Sequence, residues 1–539
     1  MDRKTALAFE YFEKTCRAMA DPGFYPHPVL RLERRDTHIS VVFLTGEWVY
    51  KLKKPVDFGF LDFRALESRK RFCEQEVALN ARLSHGVYDG VTAICEDSAG
   101  GFNIRGNGRV VEYAVRMRQL PEAASLESFA LDGRIDASLL ADLGRLLADF
   151  YAQSLRGPDI DHYGALETIA FNVEENFRQI EPFIDELSAR DKWELVRQVG
   201  DAFLGIHRDL FEGRVAEGRI RDCHGDLRAE HVYFDQGIQV IDCIEFNDRF
   251  RYGDAILDLA FLHMDLERLG RPDWSRAVLA AYVERASDPE LYTLLDFYAA
   301  YRAMVRAKVA CLRLTEVSEE DAEPLRREAS KHLEMAYRCA VRFSRPTLWI
   351  FCGLPASGKS TLAREIAAAL KAPLFQSDIV RKEGAPPRPS ASASVAPYGQ
   401  GLYRRELRHR VYARMLSLAH DDLKRGRTVA LDATFGLRKW REECRRLAED
   451  CDANIVFVVC EAEEGVIRER LKAREAAAGE SDARLEHLPK IIASFEPFDE
   501  IPAGMLVRAD AARPLAEVVS KALSEGYARR CAQVERLLQ

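Results

Sequence analysis

Eight residues constrain this chain more than any others: Gly353-Leu354-Pro355-Ala356-Ser357-Gly358-Lys359-Ser360. They fill every fixed position of the pattern GxxxxGK[ST], whose glycines let successive backbone N–H groups wrap a phosphate. Before them stands Thr347-Leu348-Trp349-Ile350-Phe351-Cys352, an apolar run with the length and composition of a buried strand. After them, the residues from Thr361 to Leu370 carry apolar side chains at helical spacing. Strand, glycine loop and helix form the context such a loop needs, because the helix N-terminus adds its positive end to the phosphate site. The backbone through Gly353, Pro355, Ala356, Ser357, Gly358 and Thr361 is therefore expected to cradle phosphates. Lys359 would reach the terminal ones and Ser360 would hold a magnesium ion. The residues point to a nucleoside triphosphate.

The chain around this loop alternates strands with helices, which implies a parallel sheet covered on both faces. The segment Leu374-Phe375-Gln376-Ser377-Asp378 leads into a run rich in Pro, Gly, Ser and Ala, residues 384–401. That run is expected to be a cover over an acceptor site or a tolerated insertion. A helix over residues 403–424 then feeds Thr428-Val429-Ala430-Leu431-Asp432, a buried strand ending in a carboxylate that suits a place beside the metal. A strand over residues 454–460 precedes a helix bearing Arg468, Arg470 and Arg474.

The first half reads differently. Residues 29–55 form two apolar-rich segments about the turn Thr45-Gly46-Glu47, the pattern of a hairpin. Lys51 lies inside the second segment and either points to solvent or reaches a ligand. A helix over residues 65–83 carries Glu67, Glu74 and Glu76, and a further sheet segment runs from Arg109 to Met117. Residues 138–210 are mostly helical in pattern. Then comes Cys223-His224-Gly225-Asp226, with Ile241-Asp242 some sixteen residues on and Gly253-Asp254-Ala255-Ile256-Leu257-Asp258 beyond it.

This second constellation, over residues 25–315, resembles the catalytic core of the aminoglycoside phosphotransferase and protein-kinase-like superfamily. The resemblance implies that Asp226 accepts the proton of a substrate hydroxyl and that Asp242 holds magnesium against nucleotide phosphates. It implies that Lys51 pairs with the phosphates, that Glu76 orients Lys51, and that Met117 lies at the adenine hinge. Two departures stand out. His231 occupies the position where the family has an asparagine metal ligand, and imidazole suits softer metals such as Mn2+ better than Mg2+. The first strands also lack a glycine-rich loop, leaving Thr37-His38-Ile39-Ser40 as the polar candidates over the phosphates. Arg302, Arg306 and Arg313 share a face of a later helical pattern. That face is either solvated or a cationic wall for an anionic substrate.

Residues 347–525 in turn resemble the small P-loop kinases of the gluconate kinase, polynucleotide kinase and zeta-toxin group. That likeness implies that Asp378 meets the acceptor hydroxyl with Arg381 holding the substrate, and that Arg470 and Arg474 close on the transferring phosphate. Asp378 also fits an Asx turn or N-cap, and the arginines a charged surface helix. The two halves together resemble a fused bacterial family. The expected architecture is a bilobal kinase-like domain (residues 1–344, with an N-lobe near 25–120, a C-lobe near 121–315 and a linker helix to 344). A P-loop domain of α/β type follows over residues 345–539, the boundary falling at Ser344-Arg345-Pro346. The resemblance implies an ATP-dependent phosphotransferase acting on a small-molecule hydroxyl, with ATP and Mg2+ as cofactors. A nucleic-acid or nucleotide-sugar kinase and a regulatory ATPase with a degraded kinase-like domain remain open alternatives.

Composition narrows the partners. A formal net charge of −8 argues against bulk nucleic-acid binding. The apolar runs are short and broken by charge, so no membrane span is expected. The twelve cysteines stand singly with no CxxC pair, as in a cytoplasmic protein with reduced thiols. Acidic residues interrupt the first sixteen residues, which read as an amphipathic helix rather than a signal peptide.

Overall fold

Period-two alternation over residues 33–118 becomes a six-stranded antiparallel sheet in a computed structural model of the protein. The strands are β1 (Glu33–Asp36), β2 (Ser40–Leu44), β3 (Trp48–Lys53), β4 (Tyr88–Glu96), β5 (Phe102–Ile104) and β6 (Arg109–Arg118), ordered β1-β2-β3-β6-β4-β5. The described residues are 3–104, 106–383, 405–476 and 485–539, so the run 384–401 lies outside them. Tyr50 and Leu52 of β3 pack with Val41, Phe43 and the N-terminal helix Arg3–Met19. Val49 faces the other way, against Cys73 and Val77 of the helix Leu66–Asn80. A strand period of two puts Lys51 and Lys53 on this second face, under the helix that carries Glu76.

The chain divides into two compact units, residues 1–169 with 211–278 and residues 170–210 with 279–539. The first unit adds to its sheet two short antiparallel pairs, β7 (Ile220–Asp222) with β10 (Tyr252–Asp254) and β8 (Val232–Phe234) with β9 (Ile238–Val240).

The second unit is built on a parallel sheet of β11 (Thr347–Cys352), β12 (Leu374–Gln376), β13 (Val429–Asp432), β14 (Asn454–Glu461) and β15 (Leu506–Asp510). Its order is β12-β13-β11-β14-β15. Every residue of β11 and β13 is buried, as expected of central strands covered on both faces. The long helices Leu291–Leu314 and Glu319–Ser344 pack against each other in this same unit, so the expected boundary at residue 345 falls inside it. Asp296 explains why. It is fully buried and accepts from Tyr527 Oη at 2.8 Å and Arg530 Nη2 at 2.9 Å, both on the final helix Leu515–Leu538, with Arg342 Nη1 at 3.6 Å.

All the cysteines are free, and all but Cys531 are buried. Among the described residues no helix is long and apolar enough to cross a membrane.

The final helix also meets the strand that feeds the glycine loop. A Cβ at Gly526 would stand 2.1 Å from Cη2 of Trp349, whose indole is buried. Overpacking costs about 1–3 kcal/mol, whereas alanine gains roughly 1 kcal/mol over glycine inside a helix, so sterics should win. Gly526→Ala is expected to lower the urea midpoint of the full chain. An unchanged or raised midpoint would show that the contact yields.

Candidate functional site

The glycine loop leaves β11 at Gly353, whose φ of 143° and close approach to the carbonyl of Cys460 exclude a side chain. A Cβ there would stand 2.7 Å from that oxygen. Ala356 sits at φ 61°, a left-handed conformation costing an L-residue about 1–2 kcal/mol. Arg470 holds it: Nη1 donates to Ala356 O at 3.3 Å and Nη2 to Ala511 O at 3.1 Å. Arg470 therefore braces the loop backbone. Arg474 lies in the same helix, Glu464–Ala476, with its side chain outside the described residues. Gly358 precedes the helix Lys359–Ala369, so the positive helix end follows the loop directly.

Lys359 and Ser360 open onto a cavity of about 410 Å³. Asp432 reaches it from the end of β13, 3 % exposed. Its Oδ2 accepts from Gln376 Nε2 at 2.8 Å, while Oδ1 is buried with no partner among the described residues. A buried carboxylate oxygen left unanswered is costly. Asp432 and Ser360 together offer hard oxygen donors that fit Mg2+. The same cavity is lined by Asp378, second residue of the helix Ser377–Glu383 and so inside its first turn rather than capping it. Arg381 pairs with Asp378 at 3.0 Å and lines the cavity too.

In the first unit, Glu76 is fully buried between two lysines. Lys51 Nζ lies 3.0 Å from Glu76 Oε1, and Lys53 Nζ donates to Oε2 at 2.7 Å. Lys51 also donates to Asp242 Oδ1 at 2.6 Å, and Lys53 to Glu245. Burial would discharge Lys51, but Asp242 and Glu76 raise it well above its ordinary value. Burial would likewise raise Asp242 and Glu76. Lys51 and His231 hold Asp242 well below the carboxylate range, and Lys51 with Lys53 holds Glu76 down. Glu245 is the exception, because burial and the neighbouring Glu76 outweigh Lys53 and push its carboxyl up.

The His224-Gly225-Asp226 turn is held from below. Asp258, on the helix Ala255–Arg268, accepts from the backbone N–H groups of His224 at 2.7 Å and Gly225 at 2.9 Å. Gly225 has φ 88°, and a Cβ there would stand 2.9 Å from Phe250 O. Both oxygens of Asp226 accept from Arg228, Oδ2 from Nη2 at 2.9 Å and Oδ1 from Nε at 3.1 Å. Burial would raise this carboxyl; Arg228 and His231 bring it below its ordinary value.

His231 Nδ1 lies 2.8 Å from Asp226 O, and its Nε2 lies 3.3 Å from Arg228 Nη2 and 3.6 Å from Asp242 Oδ2. Ligand atoms of Asp226, His231 and Asp242 lie within 4.8 Å of one another. One imidazole and two carboxylates fit a borderline metal such as Mn2+ better than Mg2+. Arg228 and Lys51 already occupy those carboxylates, so an ion there would share them.

Further expected residues come from other elements. Met117 is buried near the end of β6 against Val49 and Val115. The 37–40 turn is closed on itself: Thr37 Oγ1 accepts from the N–H of Ser40 at 2.9 Å, and His38 stacks on Phe58 at 4.2 Å. Arg302 is buried and Arg306 is paired with Glu328 at 2.8 Å, both in the second unit, whereas Asp226 belongs to the first. Sequence reasoning missed Lys53, Glu245, Arg228 and the role of Asp258. The spacing Lys51-x-Lys53 was a signal for the first, since residues two apart on a strand share a face.

Two family profiles match the chain, one described as a phosphotransferase enzyme family over residues 68–298 and one described as an AAA domain over residues 348–498. Uncharacterized proteins of Mycobacterium tuberculosis (strain H37Rv) and Mycobacterium bovis are each 36% identical over 466 residues, spanning 85% of this chain and 90% of theirs. Among solved structures, a gluconokinase from Sinorhizobium meliloti 1021 is 21% identical with a TM-score of 0.26, over 36% of this chain and 97% of that one. A choline/ethanolamine kinase family protein from Mesorhizobium loti is 14% identical with a TM-score of 0.33, over 60% of this chain and 98% of that one.

Burial lowers His224 from 6.5 to about 3, and its ring is held neutral, donating from Nε2 to Ile241 O at 3.0 Å. Below pH 6.5 the unfolded chain binds a proton that the folded one refuses. The stability contributed is therefore full above that value and is lost as pH falls toward 3. Between pH 7.5 and 4.5 the thermal midpoint of the natural chain is expected to fall more steeply than that of His224→Gln (roughly one unit of pH per 1.4 kcal/mol at most). Parallel profiles would refute this. For the metal, Mn2+ titrated into the full chain and followed by electron paramagnetic resonance should bind more weakly to His231→Asn than to the natural protein. Equal binding would remove His231 from the ligand set.

Proposed function

This chain belongs to the family of the mycobacterial proteins above, joining a phosphotransferase-like domain to a P-loop kinase domain, and from that premise we propose that it is an ATP-dependent phosphotransferase. Its P-loop half moves the γ-phosphate of ATP, with Mg2+, onto a hydroxyl of a small molecule. One observation carries the reading: Lys359, Ser360 and Asp378 all line the same cavity.

Phosphoryl transfer needs an oriented nucleophile and positive charge on the phosphates, with little covalent work from the protein. Lys359 supplies charge at the transferring group. Asp432 and Ser360 would hold the metal ion, which would supply positive charge against the phosphates. Asp378 takes the proton of the acceptor hydroxyl as the new oxygen–phosphorus bond forms and the bond to ADP breaks. Arg381, paired with Asp378 at 3.0 Å, holds that carboxylate in place.

In the first half, Lys51, Glu76 and Met117 would form a second nucleotide site, Asp242 and His231 would hold a metal ion, and Asp226 would act as the base. Arg228 on both oxygens of Asp226 favours a regulatory variant of this reading, in which that half binds nucleotide without fast transfer.

Lys359→Met keeps the stem and removes the charge, and should cut ATP turnover by about 10²- to 10³-fold, as for loss of other electrostatic stabilisers. Asp226→Asn should cost less. The opposite order in steady-state ADP release would move the engine to the first half.

A further inference from the structure

The cavity that holds Lys359 carries more positive charge than a nucleotide uses. Among the described residues its lining includes the cations Lys359, Arg364, Arg381, Lys382 and Arg408 against the carboxylates Asp378 and Asp432. Most of this charge is already assigned. Arg381 answers Asp378 at 3.0 Å, Asp432 is suited to the metal ion, and Lys359 belongs to the triphosphate. Arg364 turns back to donate from Nε to Ser360 O at 3.1 Å. Lys382 and Arg408 remain, and neither forms an ion pair with a described carboxylate. Lys382 comes from the helix that bears Asp378, and Arg408 from the helix Arg405–Leu423, so they line the acceptor side.

The same side has a flat apolar wall. Tyr412, one helical turn after Arg408, stacks on Trp440 with ring centroids 4.7 Å apart and planes 20° apart, and both rings are buried. The Tyr412 hydroxyl is already committed, within 3.1 Å of Thr434 Oγ1 and accepting from the N–H of Phe435 at 3.1 Å. Phe495 lines the cavity as well. This wall therefore offers carbon to a ligand, while the two cations beside it offer charge. An arginine in such a place suits a planar or tetrahedral oxyanion, because its forked N–H groups bind two oxygens at once.

We propose that the acceptor of the P-loop site carries its own anionic group, a phosphate monoester or a carboxylate, in addition to the hydroxyl that is phosphorylated. Arg408 and Lys382 hold that group, and the carbon skeleton lies along Tyr412 and Trp440. The proposal rests on reading this cavity as a phosphotransferase site, and it excludes a polycationic acceptor, which Arg408 and Lys382 would repel.

The test uses the full chain saturated with Mg2+ and ADP, so that the phosphate loop is filled before any acceptor is added. Calorimetry then compares glycerol phosphate with glycerol and gluconate with glucose. At least one acid should bind about tenfold or more tightly than its neutral partner, the scale of a charge-assisted hydrogen bond. The pair that shows the preference tells phosphate from carboxylate. In the double variant Arg408→Gln with Lys382→Gln the preference should vanish while ADP binds as before, which also shows that the fold is intact. The proposal is overturned if neither acid outbinds its neutral partner, or if the preference survives the double variant. Failure of the underlying reading looks different: the acid preference would stand while Lys359→Met left ATP turnover unchanged.

Discussion

Glu76 has no access to water, and the arrangement of the first candidate site follows from how that charge is answered. A lone buried carboxylate would take up a proton, and a lone buried lysine would lose one. Here a strand period of two delivers Lys51 and Lys53 to opposite oxygens of one side chain. Each lysine then has charge to spare for a second carboxylate, Asp242 for one and Glu245 for the other. Asp242 and Glu245 lie three residues apart, so the segment that follows β9 is tied to β3 at two points. Breaking such a buried pair by removing one member commonly costs about 3–5 kcal/mol, which makes this network rigid as well as charged.

The second unit obeys a different constraint. In a parallel sheet all strands finish at the same edge, and ligands collect there. Phe351 and Asp432 are register partners on β11 and β13, and Gln376 on β12 lines up with Asp432. The glycine loop, the buried carboxylate of Asp432 and the Gln376 that donates to it are therefore brought together by backbone hydrogen bonding, before any side chain has a say. Asp378 comes two residues after Gln376, which is why it faces the same cavity.

Much of this was legible in the chain. Strand, GLPASGKS and helix occupy the positions their pattern predicts, because that motif carries its own backbone instructions. Asp226, His231 and Asp242 were named together by the resemblance to the kinase-like superfamily, and their ligand atoms lie within 4.8 Å of one another. What escaped depends on distant partners. Arg470 binds the carbonyls of Ala356 and Ala511, which no local pattern links to it. Arg302 and Arg306 looked like one basic face by helical spacing. A second helix at residues 319–344, however, covers that stretch and supplies Glu328. The role of Asp258 was hidden for the same reason: its two backbone donors lie more than thirty residues upstream.

The buried carboxylate of Asp296 bears on how separable the P-loop half is. Tyr527 and Arg530 close the last helix onto it, and Arg342 approaches it from the helix that ends just before β11. A sheet and its loop can be copied onto another scaffold only with the contacts that seat them. For this chain, grafting residues 345–539 alone would carry Arg530 and Tyr527 away from their acceptor and uncover the apolar side of the helices at 291–344. The portable cassette is larger than the motif suggests, and its natural seam lies upstream of the helix that carries Asp296.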